Sequence, residues 1–243
     1  MRESPAEPLE KVACLLLNKQ EVRALIEKIG IVPVIRAASL QGAKFAAEAV
    51  WQGGIPIVEI TMTVPRALDV ISELVKTMPK LLVGAGTVVN QDLALQCFDV
   101  GAQFLVTPGF SQKTVAAAHN LDLLIMAGAL TPTEVMAAWD AGVDFVKIFP
   151  CANLGGPSYI KALKGPLPQI PLVPTGGVNL ETAADYIRAG AAALGVGGEL
   201  VLKHAFQERK PELISNLAMR YAQLVKEARN PIAAKSERAA ETH

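Results

Sequence analysis

The chain has 243 residues, 51% of them hydrophobic, with 23 Lys and Arg balanced by 23 Asp and Glu. That is enough for one large domain with a sizeable core. With only 5% aromatics and no basic run, it lacks the electrostatic footprint of a nucleic-acid binder.

In chain order, "MRESPAEPLEKVACLLLNKQ" sets acidic residues ahead of a very short apolar run, unlike a secretory leader, and no apolar segment approaches membrane-spanning length. A cytoplasmic protein with no membrane partner is expected. Residues 1–8 read as a flexible start, and residues 9–29 as an extra helix that precedes the first strand and covers the N-terminal mouth of the domain. From residue 31, β-rich runs alternate with helical segments: "IVPVIR", "IPIVEIT", "LLVGAG", "QFLVTP", "LLIMAG", "DFVKIFP", "PLVPTGG" and "ALGVGG". Segments such as "SLQGAKFAAEAVWQGG" and "VPRALDVISELVKTMP" lie between them, with apolar positions at helical spacing and Gly or Pro at their ends. In "TPTEVMAAWDAG", Thr131 serves as N-cap, Pro132 takes the first helical position, Glu134 completes a capping box and Gly142 ends the helix. "DVGAQFLVTPG" and "DAGVDFVKIFP" echo one another at the helix-to-strand joint, each being one αβ unit.

Strands alternating with helices imply parallel pairing. Eight such units in about two hundred residues predict a single (β/α)₈ TIM barrel over residues 9–228, with an open doubly wound sheet as the second choice. The remainder, residues 229–243, "RNPIAAKSERAAETH", is polar without an apolar stripe and reads as a disordered tail. Cys14, Cys97 and Cys151 are odd in number and widely spaced, which fits reduced thiols. His119, His204 and His243 form no ligand spacing, so neither a metal nor another cofactor is expected.

Two charges sit where such a barrel should be apolar. Side chains alternate along a strand, so Lys147 shares a face with Phe145 and Phe149, and Glu59 with Ile57 and Thr61. Desolvation disfavours the charged form of a buried amine, and a neutral amine is a nucleophile able to form a Schiff base with a carbonyl. A nearby carboxylate suits the proton transfers of that chemistry. The bland alternative is an ion pair that only satisfies two buried charges. Arg36 ends the first strand, where a planar guanidinium suits a substrate carboxylate or an ordinary rim salt bridge. Gly176 and Gly177 come after strand seven, and Gly197 and Gly198 end strand eight, in the two loops where barrels often bind phosphate.

At these residues the chain resembles the bacterial class I 2-dehydro-3-deoxy-phosphogluconate (KDPG)/4-hydroxy-2-oxoglutarate aldolases. The shared motifs, in the same order over about residues 30–202, are "GIVPVIRA", "VEITMTVP", "VGAGTV", "TPG", "VKIFPC", "GPLPQIPLVPTGGVN" and "GVGGELV". The resemblance implies a lyase in which Lys147 forms a Schiff base with the pyruvate moiety and Glu59 is the general acid/base. It further implies that Arg36 and Thr87 hold the carboxylate, that Pro108 and Phe149 line the pocket, and that the protein is a metal-independent cytosolic homotrimer acting on a small 2-oxo acid. KDPG cleavage leads, with 4-hydroxy-2-oxoglutarate as a further substrate. An aldolase for another 2-oxo-3-deoxy sugar acid, such as the galactonate epimer, and a phosphate-binding barrel isomerase or epimerase are the alternatives. Two departures stand out. Thr63 occupies a position where some members carry arginine, which leaves the carboxylate to Arg36. Gly198 replaces a serine that many members have, and it is succeeded by Glu199, which is expected to open the next helix and point away from a ligand.

Overall fold

The computed structural model describes residues 17–230; the expected flexible start and nearly all of the expected tail lie outside them. Eight strands form one sheet: β1 (Ile31–Ile35), β2 (Ile57–Thr61), β3 (Leu82–Gly86), β4 (Phe104–Val106), β5 (Leu124–Ala129), β6 (Phe145–Ile148), β7 (Leu172–Pro174) and β8 (Leu194–Val196). All paired strands are parallel, in the order β7-β6-β5-β4-β3-β2-β1-β8. A bridge between Thr175 and Gly195 and the bond from the Ala192 N–H to Leu172 O bring β7 against β8. The result is a (β/α)₈ barrel. Every strand residue is buried, because helices cover the outside while side chains fill the inside.

Among the described residues, ten α-helices surround or cap the sheet: α1 (Lys19–Ile29), α2 (Leu40–Gln52), α3 (Ala67–Thr77), α4 (Gln91–Asp99), α5 (Gln112–Asn120), α6 (Pro132–Asp140), α7 (Pro157–Lys164), α8 (Ala183–Arg188), α9 (Lys203–Glu208) and α10 (Pro211–Arg229). Caps fix where several of them begin. Thr131 and Glu134 form the expected box on α6, and Ser39, Asn90 and Ser111 cap α2, α4 and α5 with side-chain oxygens. Among the described residues the extra N-terminal helix begins at Lys19; residues 9–16 of its expected span lie outside them. Asn18 accepts the N–H groups of Gln20 and Glu21, Glu21 accepts the Asn18 N–H in return, and that reciprocal box starts the helix here.

The helix α1 meets the N-terminal side of β5 and β6. Lys19 pairs with Asp144 at 3.1 Å, and the Arg23 guanidinium lies 5.6 Å from the Phe145 ring centroid. Because Phe145 and Lys147 share a face, this contact closes the barrel beneath the buried lysine. At the other seam, α10 packs against both α2 and α8 and so completes the helical ring. It runs through Arg229, whose guanidinium donates to Lys28 O at 2.9 Å and Ala192 O at 2.8 Å and ties the last helix to the chain segments entering β1 and β8.

Candidate active site

The strand register brings the two buried charges together. Glu59 is level with Val34 on β1 and Gly84 on β3, and Lys147 with Gly128 on β5 and Val173 on β7. Across the interior, Lys147 Nζ stands 3.9 Å from Glu59 Oε1, with side chains only 5% and 3% exposed. That is a loose ion pair, beyond hydrogen-bond distance. Glu59 Oε1 has no hydrogen-bond partner among the described residues. Buried carboxylate oxygens are rarely left so, since an unmade bond at such a group costs about 1–3 kcal/mol or more. The lysine is the group it faces.

Gly86, a residue that the sequence motifs do not single out, makes room for that carboxylate. A Cβ on Gly86 would lie 1.9 Å from Glu59 Oε1 and 2.5 Å from its Cδ. The signal is present in "LLVGAG", since glycine inside a strand marks close approach of another group. Gly86→Ala should push the Glu59 carboxylate aside. Turnover should fall by ~10²-fold or more, as expected for a displaced acid/base, with the cooperative melt retained. Near-normal rates in this variant would mean that Glu59 need not occupy its present position.

At the C-terminal rim, a cleft of about 200 Å³ is lined by Val34, Arg36, Phe149, Thr175, both glycine pairs and Glu199, among others. Six of the expected site residues therefore meet in one place: Arg36, Phe149, Gly176, Gly177, Gly197 and Gly198. Lys147 and Glu59 lie deeper, and Phe149 connects the two levels with its ring centroid 5.4 Å from Lys147 Nζ. Arg36 is exposed and has no ion-pair or hydrogen-bond partner among the described residues, so its guanidinium is available to an anion.

Thr87 and Pro108 come after β3 and β4 and do not line this cleft. Thr87 holds φ at 61°, a costly left-handed conformation for a β-branched residue, of the kind that concentrates at functional sites. The loop of Pro108 is held by Thr107, whose hydroxyl donates to Gly109 O at 2.6 Å and accepts the N–H of Gly128, the residue level with Lys147. Thr61, another residue without a role in the sequence motifs, lies one position beyond Ile60 on the face of Glu59. It donates to Ile35 O at 3.1 Å and stands 2.7 Å from the Thr63 hydroxyl.

The glycine pairs differ from each other. Gly176 and Gly177 have φ of 89° and 80°, so left-handed backbone demands glycine there. Gly197 and Gly198 have no such requirement, and a Cβ on Gly198 would meet nothing within 4 Å. The N–H groups of Gly177, Gly197 and Gly198 donate to no protein acceptor among the described residues. No helix opens directly after either pair, because α8 starts only at Ala183 and α9 at Lys203. A phosphate cradle here would therefore rest on backbone N–H groups without a helix terminus. Glu199 likewise does not open a helix. The N–H groups of Leu200 and Val201 both bond to Gly197 O at 2.9 Å, folding residues 198–200 into a turn that leaves Glu199 exposed on the cleft.

Cys151, just past Phe149 and Pro150, is fully buried with its Sγ–H directed at Gly156 O at 3.8 Å, and burial pushes its thiol up to about 11. It remains a thiol near neutral pH, which leaves Lys147 as the nucleophile at the end of β6.

The sequence model of the aldolase family described as "KDPG and KHG aldolase" matches residues 22–217. The KHG/KDPG aldolase of Escherichia coli (strain K12) is 32% identical over 201 residues, covering 82% of this chain and 94% of that protein. A crystal structure of KDPG aldolase from Legionella pneumophila, with pyruvate captured as a covalent carbinolamine intermediate, superposes with TM-score 0.76 at 31% identity, covering 81% of this chain and 96% of the other. A cube-shaped cage designed by fusing symmetric oligomeric domains gives TM-score 0.77 at 28% identity, over 88% of this chain and 78% of that one. With a match across most of the barrel and relatives above 30% identity, the chain belongs to the KDPG and KHG aldolase family and is a carbon–carbon lyase.

Proposed function

We propose that this enzyme cleaves KDPG to pyruvate and glyceraldehyde 3-phosphate through a Schiff base on Lys147, and that it also cleaves 4-hydroxy-2-oxoglutarate to pyruvate and glyoxylate. The observation that carries the reading is the buried Lys147–Glu59 pair at 3.9 Å, with Glu59 Oε1 otherwise unpartnered. In the reaction the neutral amine adds to C2 of the substrate, and as the nitrogen gives up a proton the carbonyl oxygen takes one, which yields a neutral carbinolamine. A second proton on that hydroxyl lets it leave as water while the nitrogen lone pair forms the iminium. Removing the proton of the C4 hydroxyl sends the C3–C4 electron pair into the iminium, which becomes an enamine as the aldehyde departs. Protonation at C3 and hydrolysis return pyruvate and the free amine. Glu59 serves as acid and base for these transfers, being the carboxylate beside Lys147; a 3.9 Å separation without substrate is compatible with tighter contacts in the complex.

Arg36 takes the substrate carboxylate, with Thr87, Pro108 and Phe149 around the pyruvate end. The N–H groups of Gly176, Gly177, Gly197 and Gly198 receive the phosphate. An isomerase using Glu59 as base and Lys147 only as a charge partner would form no covalent adduct, so reductive trapping separates the two mechanisms. We take the enzyme to be a homotrimer; the likeness to a cage built from symmetric oligomeric domains supports an oligomer. No described helix is long and apolar enough to cross a membrane, and the described cysteines, Cys97 and Cys151, are free thiols, in keeping with a cytoplasmic enzyme.

The glycine loop gives a direct test of phosphate reading. A serine at 198 fits the space and backbone already there and adds a hydroxyl donor to an anion, worth about 1.5 kcal/mol or roughly tenfold in affinity. Steady-state kinetics of Gly198→Ser should show a lower KM for KDPG and an almost unchanged one for 4-hydroxy-2-oxoglutarate. Equal effects on both substrates, or none on either, would show that residue 198 does not face the phosphate.

A further inference from the structure

We infer that Glu199 is a specificity-determining residue that disfavours a terminal phosphate and favours substrates whose far end is an uncharged hydroxyl donor. The unphosphorylated counterpart of KDPG, 2-dehydro-3-deoxygluconate, is therefore a further substrate. The inference rests on the aldolase reading and concerns the other end of the same cleft. Glu199 lines that cleft together with Arg36, Gly176, Gly177, Gly197 and Gly198. Its turn is fixed by the two bonds to Gly197 O, which set it beside the glycine N–H groups rather than on a helix directed elsewhere. Arg36 lines the same cleft, yet no ion pair joins the two side chains, so Glu199 is not neutralised by the guanidinium meant for the substrate carboxylate.

The chemistry of the far end is then set by charge. A phosphate monoester near pH 7 carries between one and two negative charges. Against one carboxylate across a hydrated cleft, the repulsion is worth roughly three- to tenfold in binding. The glycine N–H groups attract an anion but carry no net charge to offset it. A carboxylate is at the same time a strong acceptor, and a terminal hydroxyl or polyol offers it a donor. One residue thus weakens the binding of one substrate class and strengthens that of the other. Pyruvate has no far end and should not sense Glu199.

Glu199→Gln tests this, being an exposed turn residue whose replacement keeps the shape and removes the charge. Kinetics of the full chain with KDPG and with 2-dehydro-3-deoxygluconate, measured by pyruvate release, should show two things. The wild type should cleave both, and the variant should shift the kcat/KM ratio toward KDPG by about three- to tenfold, chiefly through KM. Raised ionic strength should narrow the difference between wild type and variant, because the repulsion is screened. An unchanged ratio, equal loss on both substrates, or a wild type inactive toward the unphosphorylated acid would overturn the inference. Borohydride trapping with pyruvate, run alongside, keeps the two readings apart. No adduct means that the Schiff-base assignment fails, whereas an adduct with an unchanged ratio means that only the role of Glu199 fails.

Discussion

Lys147→Arg is expected to remove essentially all turnover, by on the order of 10⁴-fold or more, while the protein still folds. Arginine retains a cation next to Glu59, so the variant avoids the large cost of leaving a buried carboxylate without its partner. What it loses is an amine that can give up its proton and bond to C2, because guanidinium stays protonated in proteins. The comparison with Lys147→Ala is informative for the same reason. The alanine variant should also be inactive but less stable, since Glu59 Oε1 has no other partner among the described residues. Appreciable pyruvate release by the arginine variant, measured with a coupled assay, would contradict a covalent role for Lys147.

Glu59→Gln is expected to slow turnover by ~10²–10⁴, the usual contribution of one general acid/base. The amide fits the space that Gly86 leaves for the carboxylate, so geometry is kept while the exchangeable proton is lost. A purely neutralising Glu59 gives the opposite pattern: the melting temperature drops and the rate is nearly kept. Measuring both quantities on the same preparation decides between a proton carrier and a structural counter-charge.

Much of this site is legible in the sequence because strand alternation is strict. Lys147 falls between Phe145 and Phe149, and Glu59 between Ile57 and Thr61, so parity groups each charge with its face-mates, but with both faces apolar it leaves open whether that face is the interior or the helix layer. The barrel itself is legible because the eight runs are mostly apolar, six of them end in Gly or Pro, and helical segments alternate with them. What alternation leaves open is which strands face each other across the interior. The 3.9 Å approach of Lys147 to Glu59, and the need for Gly86 between β2 and β4, depend on register and closure. Glu199 shows the limit of local rules more sharply. A glutamate after a glycine pair reads as the first turn of a helix, yet the bonds to Gly197 O make a separate turn first, and α9 waits until Lys203. The start of α1 errs the other way. The box of Asn18 and Glu21 is readable, but the apolar run before it carries the expected helix across Leu17 and Asn18, which lie ahead of the helix.

Lys147 is assigned a covalent bond to the substrate carbonyl, and reductive trapping tests that assignment most directly. Incubation with pyruvate and borohydride, with peptide mass spectrometry of the product, should find one pyruvyl-derived mass per chain, on the peptide that contains Lys147. Absence of an adduct, or its location on Lys161 or Lys164 of α7, would contradict the covalent role of Lys147.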